Sequence, residues 1–525
     1  MSWSILDCTL RDGGYYTNWD FESRLVKKYL IALDGLPVKF CEVGYRSPAK
    51  KGYFGEYFYL RHSTLEPIYS SLNGDIQLAI MLNAKDCQPG MIQALLKDCH
   101  EFIGLVRIAV SPDQLMHGLS IAASVRESGF SVGVNIMHLH KLIDNHQRLF
   151  ECLLRCKDSI DYLSFVDSYG SCFPDQITGL IKKAKLSLPF KIGFHGHDNL
   201  GLAFANSLAA IDAGADIIDS TMLGMGRGAG NLRTELITAF LSKMQNRQNN
   251  FLQLADCLEA WQVLAKSFKG GLDLPYIVSG LEQLPQAKVM ELMGKKRYGA
   301  SMIIRALCEA DSVVDEATQS FPLLVDVIDT LELHHINFCI LLGGGKSAST
   351  HCAAIKAFAR DNNAVIIHSS FKHVVQFDDG DINQFVCLSG DEASKLDYQT
   401  IEQLNDKLKF IVTTPPRFGL IPQNLVSQNL PIFSVDPLAI TEDLLKKDTP
   451  LGLAIGLSQV LGGRELMLGG FDGYPGGYSG PEQDLAKEVQ EILNESRRVY
   501  SEVTIKSITP TRYKIPQTSV YALMS

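Results

Sequence analysis

The sequence lacks the features of a membrane, secreted or nucleic-acid-binding protein. Its apolar stretches are too short, or too often interrupted by glycine and charge, to span a bilayer. The 12 cysteines are scattered without a Cys-x-x-Cys pair, which favours reduced thiols and a cytoplasmic location. With 49 Lys and Arg against 58 Asp and Glu, a net charge of -9 offers no basic excess for nucleic acid. We therefore expect small molecules as partners, and neither nucleic acid nor membrane.

The length and the order of apolar runs indicate more than one domain. At 525 residues the chain exceeds what one hydrophobic core usually organises. Residues 1–4 lead straight into an Asp-Cys-Thr motif, so we expect no secretory leader. Short apolar runs then alternate with helical patterns to about residue 240, which is typical of a (β/α)8 TIM barrel. The predicted strands are 3–6, 40–43, 77–81, 102–109, 131–136, 162–165, 191–194 and 217–220.

Two short motifs indicate a metal site. Arg11 and Asp12 follow the first predicted strand, and a His-x-His pair, His195 and His197, follows the seventh. Histidines two residues apart on a strand point to the same face, and Asp12 could add a carboxylate from another strand end. Three protein ligands leave positions open for substrate and water. The alternative is that the histidines cap a strand while Asp12 bonds only to Arg11, and the motifs alone leave this open.

The motifs all stand at or near the carboxyl ends of predicted strands. In a parallel barrel the loops after the strands meet at one mouth, where the active site lies. Residues that are far apart in the sequence are therefore expected to converge there.

Five segments, in order along residues 1 to about 330, resemble the HMG-CoA lyase-like superfamily. Within it they are most similar to the metal-dependent 4-hydroxy-2-oxoacid, or pyruvate-type, aldolases. The segments are Asp-Cys-Thr-Leu-Arg-Asp-Gly at 7–13, Glu-Val-Gly-Tyr at 42–45, Val-Asp-Ser-Tyr-Gly at 166–170, His-Gly-His-Asp-Asn-Leu-Gly at 195–201 and Gly-Met-Gly-Arg-Gly-Ala-Gly-Asn at 224–231.

The resemblance implies a site and a reaction. It implies a divalent cation, which could be Mn²⁺, Mg²⁺, Co²⁺ or Zn²⁺. It also implies that a 2-oxo acid condenses with an aldehyde, or that the 4-hydroxy-2-oxo acid product is cleaved into both, through a pyruvate enolate. We also expect a homo-oligomer. The implied metal ligands are Asp12, His195, His197 and Asn231; the implied catalytic residues are Arg11, Tyr15 and Glu42; and the implied substrate-binding residues are Asp167 and Ser168. Two of these residues could instead have purely structural roles: Glu42 could form only a salt bridge at the strand end, and Asn231 could only terminate the glycine-rich loop.

Tyr15 departs from the family pattern. The aldolases resembled here have a general-base histidine three residues after the metal-binding aspartate, whereas this chain has Tyr15. A phenol with the ordinary pKa near 10 is a poor base at neutral pH. Tyr15 could transfer protons, bond to substrate or form a wall of the pocket, and the substrate or reaction direction is expected to differ.

The rest of the chain divides into two predicted regions after a barrel at residues 1–250. Residues 251–335 have helical apolar spacing and are expected to form a helical extension, either a lid or subunit contact or a structural buttress. Residues 336–525 are expected to form a Rossmann-like α/β domain. Its predicted strands are 338–342, 364–368, 385–388, 410–413, 431–434 and 465–468.

A glycine-rich turn near the start of the last region indicates phosphate binding. The turn joins a predicted strand to a helix, whose free backbone N–H groups and dipole favour an anion. It is not a Walker loop. The region resembles nucleotide-binding domains of glycan biosynthesis, which implies a nucleotide or nucleotide-sugar ligand; a ligand-free interaction domain is the alternative. The implied contacts are Gly343, Gly344, Gly345, Lys346 and Ser347, with Asp472 at a later strand end.

The leading functional hypothesis is an aldolase. The resemblance of the last region to domains of glycan biosynthesis implies a deoxy-ketoacid sugar for surface glycans as its product. The alternatives are an acyl-CoA Claisen condensing enzyme or lyase, as in other members of the superfamily, and a non-catalytic scaffold. No CoA motif and no Met-Lys-Met biotin acceptor occurs in the sequence. The presence of Arg11, Asp12, His195 and His197 disfavours the scaffold.

Overall fold

A computed structural model describes most of the chain, which divides into two compact units, Met1–Glu291 and Leu292–Ser525. The second unit thus begins inside the region 251–335 that was predicted as a helical extension. The described residues are 3–72, 75–143, 145–245, 251–266, 271–294, 298–308, 320–331, 333, 336–389, 404, 408–414, 430–435, 449–474 and 481–524.

The first unit is a closed parallel barrel, as predicted. Neighbouring strands pair in parallel around the ring, and the first strand closes it against the eighth, with Ser4 beside Ile217. The strands are β1 (Ser4–Asp7), β2 (Val38–Tyr45), β3 (Gln77–Asn83), β4 (Ile103–Val110), β5 (Ser131–Ile136), β6 (Tyr162–Asp167), β7 (Lys191–Gly196) and β8 (Ile217–Ser220). Their residues are mostly buried because helices cover the outside of the ring.

The helices that cover the barrel are amphipathic. Pro174 opens one of them at the first helical position, and the Gln176 side chain accepts a hydrogen bond from the Phe173 N–H. This helix buries one face through Ile177, Leu180, Ile181 and Ala184. The described α-helices of the first unit, the last of which runs past its boundary at Glu291, are Thr9–Asp12, Gly14–Thr17, Ser23–Asp34, Glu56–Tyr59, His62–Ser70, Ile92–Leu96, Leu115–Glu127, Gln147–Arg155, Pro174–Ser187, Ala203–Asp212, Thr234–Gln245, Phe251–Lys266, Leu274–Leu281 and Gln286–Gly294.

The second unit is built on a parallel sheet of the predicted doubly wound kind. In the described residues the sheet has seven strands in the order β13-β12-β11-β10-β9-β14-β15. The strands are β9 (Phe338–Leu342), β10 (Val365–His368), β11 (Gln384–Cys387), β12 (Lys409–Thr413), β13 (Ile432–Val435), β14 (Glu465–Gly469) and β15 (Thr504–Ser507). The strand order reverses between β9 and β14, so the crevice for ligands in such sheets lies beyond these two strand ends.

Helices accompany this sheet in the second unit. The helical stretch after β9 is split at His351 into a short first segment, Lys346–Thr350, and a longer second one, Cys352–Asp361. The described α-helices are Ala300–Cys308, Leu324–Val327, Lys346–Thr350, Cys352–Asp361, Val374–Phe377, Pro450–Val460 and Pro481–Val499. Within the described residues, no helix combines the length and apolar character needed to cross a membrane.

Candidate active site

The barrel mouth contains a cavity of about 310 Å³ at the carboxyl ends of the strands. A volume of this order suits a small ligand. The cavity brings together residues that the sequence places more than 200 positions apart. Among its lining residues are Arg11, Asp12, Tyr15, Tyr45, Lys85, His138, Ser168, Tyr169, His195, His197, Arg227 and Gln286.

Asp12, His195 and Asn231 form the polar centre of the mouth. Asp12 Oδ2 lies 3.6 Å from His195 Nε2, and both side chains are 3% exposed. The Asn231 amide donates a hydrogen bond to the same carboxylate oxygen at 2.7 Å, while Asn231 Oδ1 is buried without a partner among the described residues. A carboxylate oxygen, an imidazole nitrogen and an unsatisfied carbonyl oxygen are suitable ligands for a divalent cation.

The charge on Asp12 is stabilised despite its burial. Burial by itself would raise the pKa of Asp12, but the Arg11 cation and the imidazoles of His195 and His197 lower it below its usual value. Asp12 is therefore a carboxylate at neutral pH, which is the form that binds metal ions.

Asp219, which the sequence analysis did not select, orients His195. His195 Nδ1 lies 3.1 Å from Asp219 Oδ2, and Arg107 donates to the same oxygen at 2.7 Å. Burial acts to raise the pKa of Asp219, but Arg107 and His195 outweigh it and lower the pKa to about 2. An ionised Asp219 accepts the Nδ1 proton, so Nε2 is left facing Asp12. This carboxylate–histidine arrangement is common behind metal-bound histidines.

His197 is held by the backbone instead of by a carboxylate. Its Nδ1 lies 3.3 Å from the carbonyl oxygen of Arg227, in the glycine-rich loop after β8. Burial and the neighbouring His195 lower the pKa of His197 to about 3. The ring is therefore neutral at ordinary pH, and its centroid is 5.2 Å from that of His195.

Arg11 is fixed by two carboxylates. It forms a hydrogen-bonded ion pair with Glu42 through Nε, and a second with Asp12 through Nη1 at 2.5 Å. Burial would lower the pKa of Arg11, but the two carboxylates raise it well above the usual value, so the guanidinium stays charged. Glu42 also accepts a hydrogen bond from Arg107 at 3.3 Å. The side chain of Glu42 thus holds two arginines in place instead of facing the cavity.

Cys8 lies behind this centre. The ligand atoms of Cys8, Asp12 and His195 are all within 4.8 Å of one another. However, burial raises the pKa of the Cys8 thiol well above its usual value, and its Sγ is within 3.4 Å of the Ser220 carbonyl oxygen and 3.7 Å of Asp12 Oδ2. In this arrangement the Cys8 thiol is a buried donor to these two oxygens.

Tyr15 forms one wall of the mouth. Its hydroxyl lies 3.1 Å from that of Tyr45, and the Arg227 guanidinium stands 4.1 Å above its ring. Its edge also contacts Trp19 at a centroid distance of 4.9 Å. These contacts hold the ring as an amphipathic surface under a cation.

The two residues predicted to bind substrate have different surroundings. Ser168 lines the mouth, and its Oγ accepts a hydrogen bond from the His138 N–H at 2.9 Å. Asp167 is fully buried, and its oxygens accept hydrogen bonds from the N–H groups of Ser171 and Cys172 at 3.0 and 3.1 Å. These contacts give Asp167 a structural role in the turn after β6.

The second unit has a cavity of its own, of about 700 Å³, in the crevice between the ends of β9 and β14. Gly343, Gly344 and Gly345 line one side and Asp472 the other. The predicted free helix start is not free, because Asp472 Oδ2 accepts a hydrogen bond from the Ser347 N–H at 3.0 Å, and the Ser347 hydroxyl also donates to this carboxylate. The chain itself therefore supplies the anion at this helix terminus.

Known proteins similar to this chain match its barrel. Residues 125–263 match the HMGL-like family. A 4-hydroxy-2-oxovalerate aldolase from Geobacillus genomosp. 3 is 31% identical over 242 residues, which are 46% of this chain and 70% of that enzyme. An oxaloacetate decarboxylase from Mycobacterium tuberculosis is 26% identical over 249 residues, again 46% of this chain and 70% of that enzyme.

A solved structure extends this comparison. The N-terminal domain of a candidate aldolase from Bacteroides vulgatus is 38% identical, with a TM-score of 0.54, and covers 58% of this chain and 100% of that domain. The closed parallel barrel has a buried Arg-Asp-His cluster at its mouth, where TIM-barrel active sites lie. Together with these relatives, it makes the protein an enzyme of the carbon–carbon lyase class. The chain belongs to the HMGL-like family.

Proposed function

We propose that this protein is a divalent-metal-dependent aldolase that forms or cleaves a 4-hydroxy-2-oxo acid through a pyruvate enolate. The supporting observation is the buried cluster in which Asp12 lies between the Arg11 guanidinium and His195 Nε2, at the mouth of the barrel. The names of its relatives, aldolase and oxaloacetate decarboxylase, agree with a reaction at a carbon–carbon bond of a 2-oxo acid.

Asp12, His195 and His197 are the residues that would hold the cation, with Asn231 Oδ1 as a further oxygen ligand. The fit rests on donor chemistry: one ionised carboxylate, one imidazole whose outer nitrogen is held by Asp219, one neutral imidazole, and one buried carbonyl oxygen without a partner among the described residues. When bound, Mn²⁺, Mg²⁺, Co²⁺ or Zn²⁺ supplies Lewis-acid polarisation of the substrate's keto oxygen.

Arg11 is the protein's own source of positive charge for the enolate. Its guanidinium lines the cavity, and the ion pairs with Glu42 and Asp12 fix its orientation before substrate arrives. A preorganised cation stabilises negative charge as it develops on the keto oxygen. We assign substrate contact to Ser168, which lines the same mouth, and a supporting role to Glu42.

The test is release of pyruvate from a panel of 4-hydroxy-2-oxo acids by the metal-loaded protein. We expect cleavage of at least one compound, and condensation of pyruvate with the matching aldehyde in reverse. Release of pyruvate only from oxaloacetate would make the protein a decarboxylase, and turnover only of acyl-CoA esters would make it a Claisen-type enzyme. Either result would overturn the aldolase proposal.

We further propose that the second unit binds a nucleotide or nucleotide-sugar, and that the aldol product is a deoxy-ketoacid sugar for surface glycans. The observation that favours a ligand here is the crevice at the reversal of strand order, which the glycine turn of residues 343–345 lines. Lys346 adds positive charge at this turn. Asp472 both fixes the turn and faces the crevice.

Calorimetry on the full chain with a panel of nucleotides and nucleotide-sugars tests this ligand. A Cβ on Gly344 would come within 3.0 Å of Ser370 Oγ, so Gly344→Val should narrow the crevice and abolish the heat of binding. Aldolase activity of the variant should remain. If no compound in the panel binds the unmodified chain, the second unit is better described as an interaction domain.

A further inference from the structure

His138 has an unusual backbone conformation at the barrel mouth. It follows β5 with φ 60° and ψ 50°, in the left-handed region that residues other than glycine adopt uncommonly. The turn is held there by the hydrogen bond from the His138 N–H to Ser168 Oγ, at the end of the next strand. Backbone strain of this kind occurs often at functional sites.

His138 belongs to the wall of the cavity that contains the polar centre. It lines the cavity together with Asp12 and His195, and its ring centroid is 5.2 Å from that of Tyr169. Its Nδ1 is buried and has no hydrogen-bond partner among the described residues. A buried imidazole nitrogen without a partner is costly unless a substrate or water completes the hydrogen bond.

Three imidazoles line the mouth in the described residues, and two of them are assigned to the cation. His195 and His197 use their outer nitrogens to bond Asp219 and the Arg227 carbonyl. The third is His138. Of the phenols that line the cavity, Tyr15 and Tyr45 are bonded to each other, and burial raises the pKa of Tyr45 well above its usual value and also raises that of Tyr169. Neither feature suits a group that accepts protons at neutral pH.

The surroundings of His138 favour the neutral ring. Burial lowers the pKa of His138, and the Lys141 and Arg227 cations lower it further, while Asp113 acts in the opposite direction. The other groups against the ring are His140, on the same turn, and Tyr169. A neutral imidazole has a lone pair available for a proton, as a general base requires.

We propose that His138 is the general base of the aldol reaction. The inference rests on the proposed aldolase function. In cleavage, an imidazole nitrogen of His138 takes the proton of the C4 hydroxyl, the C4–O bond becomes the aldehyde carbonyl, and the C3–C4 electron pair passes into the enolate. C3 then takes up one proton and the imidazolium releases the one that it accepted, so the products are an aldehyde and pyruvate. Condensation uses the same steps in reverse.

The test compares His138→Asn with a matched control, His140→Asn, in the metal-loaded full chain. Asparagine tolerates the left-handed conformation, so His138→Asn should fold. His140 lies on the same turn and stacks on Tyr169 at 4.9 Å but is not among the residues that line the cavity. With 4-hydroxy-2-oxovalerate as probe, we expect kcat to fall about 10²- to 10⁴-fold for His138→Asn and to change little for His140→Asn.

Four further readouts separate proton transfer from structure. His138→Asn should keep the metal content and thermal unfolding of the unmodified protein. It should also lose the acidic limb of the kcat/KM pH profile, because the residue that must be deprotonated is gone. In His138→Gly, which also suits the left-handed backbone, added imidazole should restore part of the activity.

The possible failures are distinguishable. If the unmodified chain cleaves the probe and His138→Asn cleaves it with similar kcat and an unchanged pH profile, the inference is wrong and the aldolase proposal stands. If His138→Asn loses metal together with activity, and imidazole does not rescue His138→Gly, His138 is structural and the inference is likewise overturned. If the unmodified chain cleaves no 4-hydroxy-2-oxo acid, both proposals fall together.

Discussion

At the scale of single residues, the site depends on buried charges that face the barrel interior. Asp219 joins Arg107 to His195, and Glu42 joins Arg107 to Arg11, which also pairs with Asp12. Two arginines and one histidine are thus held by three carboxylates. Buried charges are costly unless they are paired. Each of these side chains therefore affects both stability and the position of its neighbours.

The first prediction concerns Asp219→Asn. Without the negative charge, the preference of His195 for a proton on Nδ1 weakens, and Nε2 is less available to a cation. We expect metal affinity to fall about 10- to 100-fold, which is typical for loss of such a partner. Titration with Mn²⁺ measures this. Asp216→Asn is the control, because Asp216 pairs at 2.8 Å with Lys185, whose side chain is one-third exposed. Equal metal affinities in the two variants would contradict the role of Asp219.

The second prediction concerns Arg11→Lys. A lysine amine cannot reproduce the planar fork that binds Glu42 and Asp12 together, so charge near the enolate oxygen is lost or misplaced. We expect kcat to fall about tenfold or more, with the fold intact by circular dichroism. Arg126→Lys is the control, since Arg126 pairs with Asp161 at a partly exposed site. Unchanged kcat in Arg11→Lys would assign Arg11 to structure.

The sequence was enough to select Arg11, Asp12, His195 and His197 because they belong to recognisable motifs at strand ends. Arg107 and Asp219 were missed because each stands alone in a strand and belongs to no motif. A usable signal was present: a charged residue inside an otherwise apolar, buried parallel strand needs a partner, as in the runs at 103–110 and 217–220. The identity of that partner cannot be predicted from the sequence, because it depends on which strands face each other across the closed barrel.

At the scale of elements, apolar runs located the strands well but not their ends. All eight barrel strands were predicted, yet β2 extends to Tyr45 and β6 to Asp167, because pairing with neighbours continues past the apolar run. The strand β15 was missed, since Thr504–Ser507 has only one strongly apolar residue and forms at the sheet edge beside β14. Edge strands carry less apolar sequence than central ones.

The third prediction tests the glycine turn after β9. A Cβ on Gly345 would lie 2.4 Å from the Gly470 carbonyl oxygen and 2.6 Å from Asp472 Cγ, so Gly345→Ala must push the two strand ends apart. We expect a loss of about 1–3 kcal/mol in the free energy of unfolding, measured with denaturant. The control is Gly179→Ala, where no described atom lies within 4 Å of the new methyl group. Equal stability of the two variants would contradict this packing.

At the scale of the whole molecule, both compact units use the carboxyl ends of parallel strands. The barrel gathers its polar residues at one mouth, and the doubly wound sheet opens a crevice where its strand order reverses. The sequence predicted both folds from the alternation of apolar runs and helical patterns. It could not predict that Asp472 would occupy the helix start, because that contact joins residues 125 positions apart.

The most direct test of the central claim is a metal titration with activity measured in parallel. The protein is stripped with a chelator, and Mn²⁺ is added back while pyruvate release from a 4-hydroxy-2-oxo acid is followed. We expect no activity without metal, recovery that saturates at one equivalent per chain, and loss of both binding and activity in His195→Ala and in His197→Ala. Full activity in the metal-free protein would contradict the account.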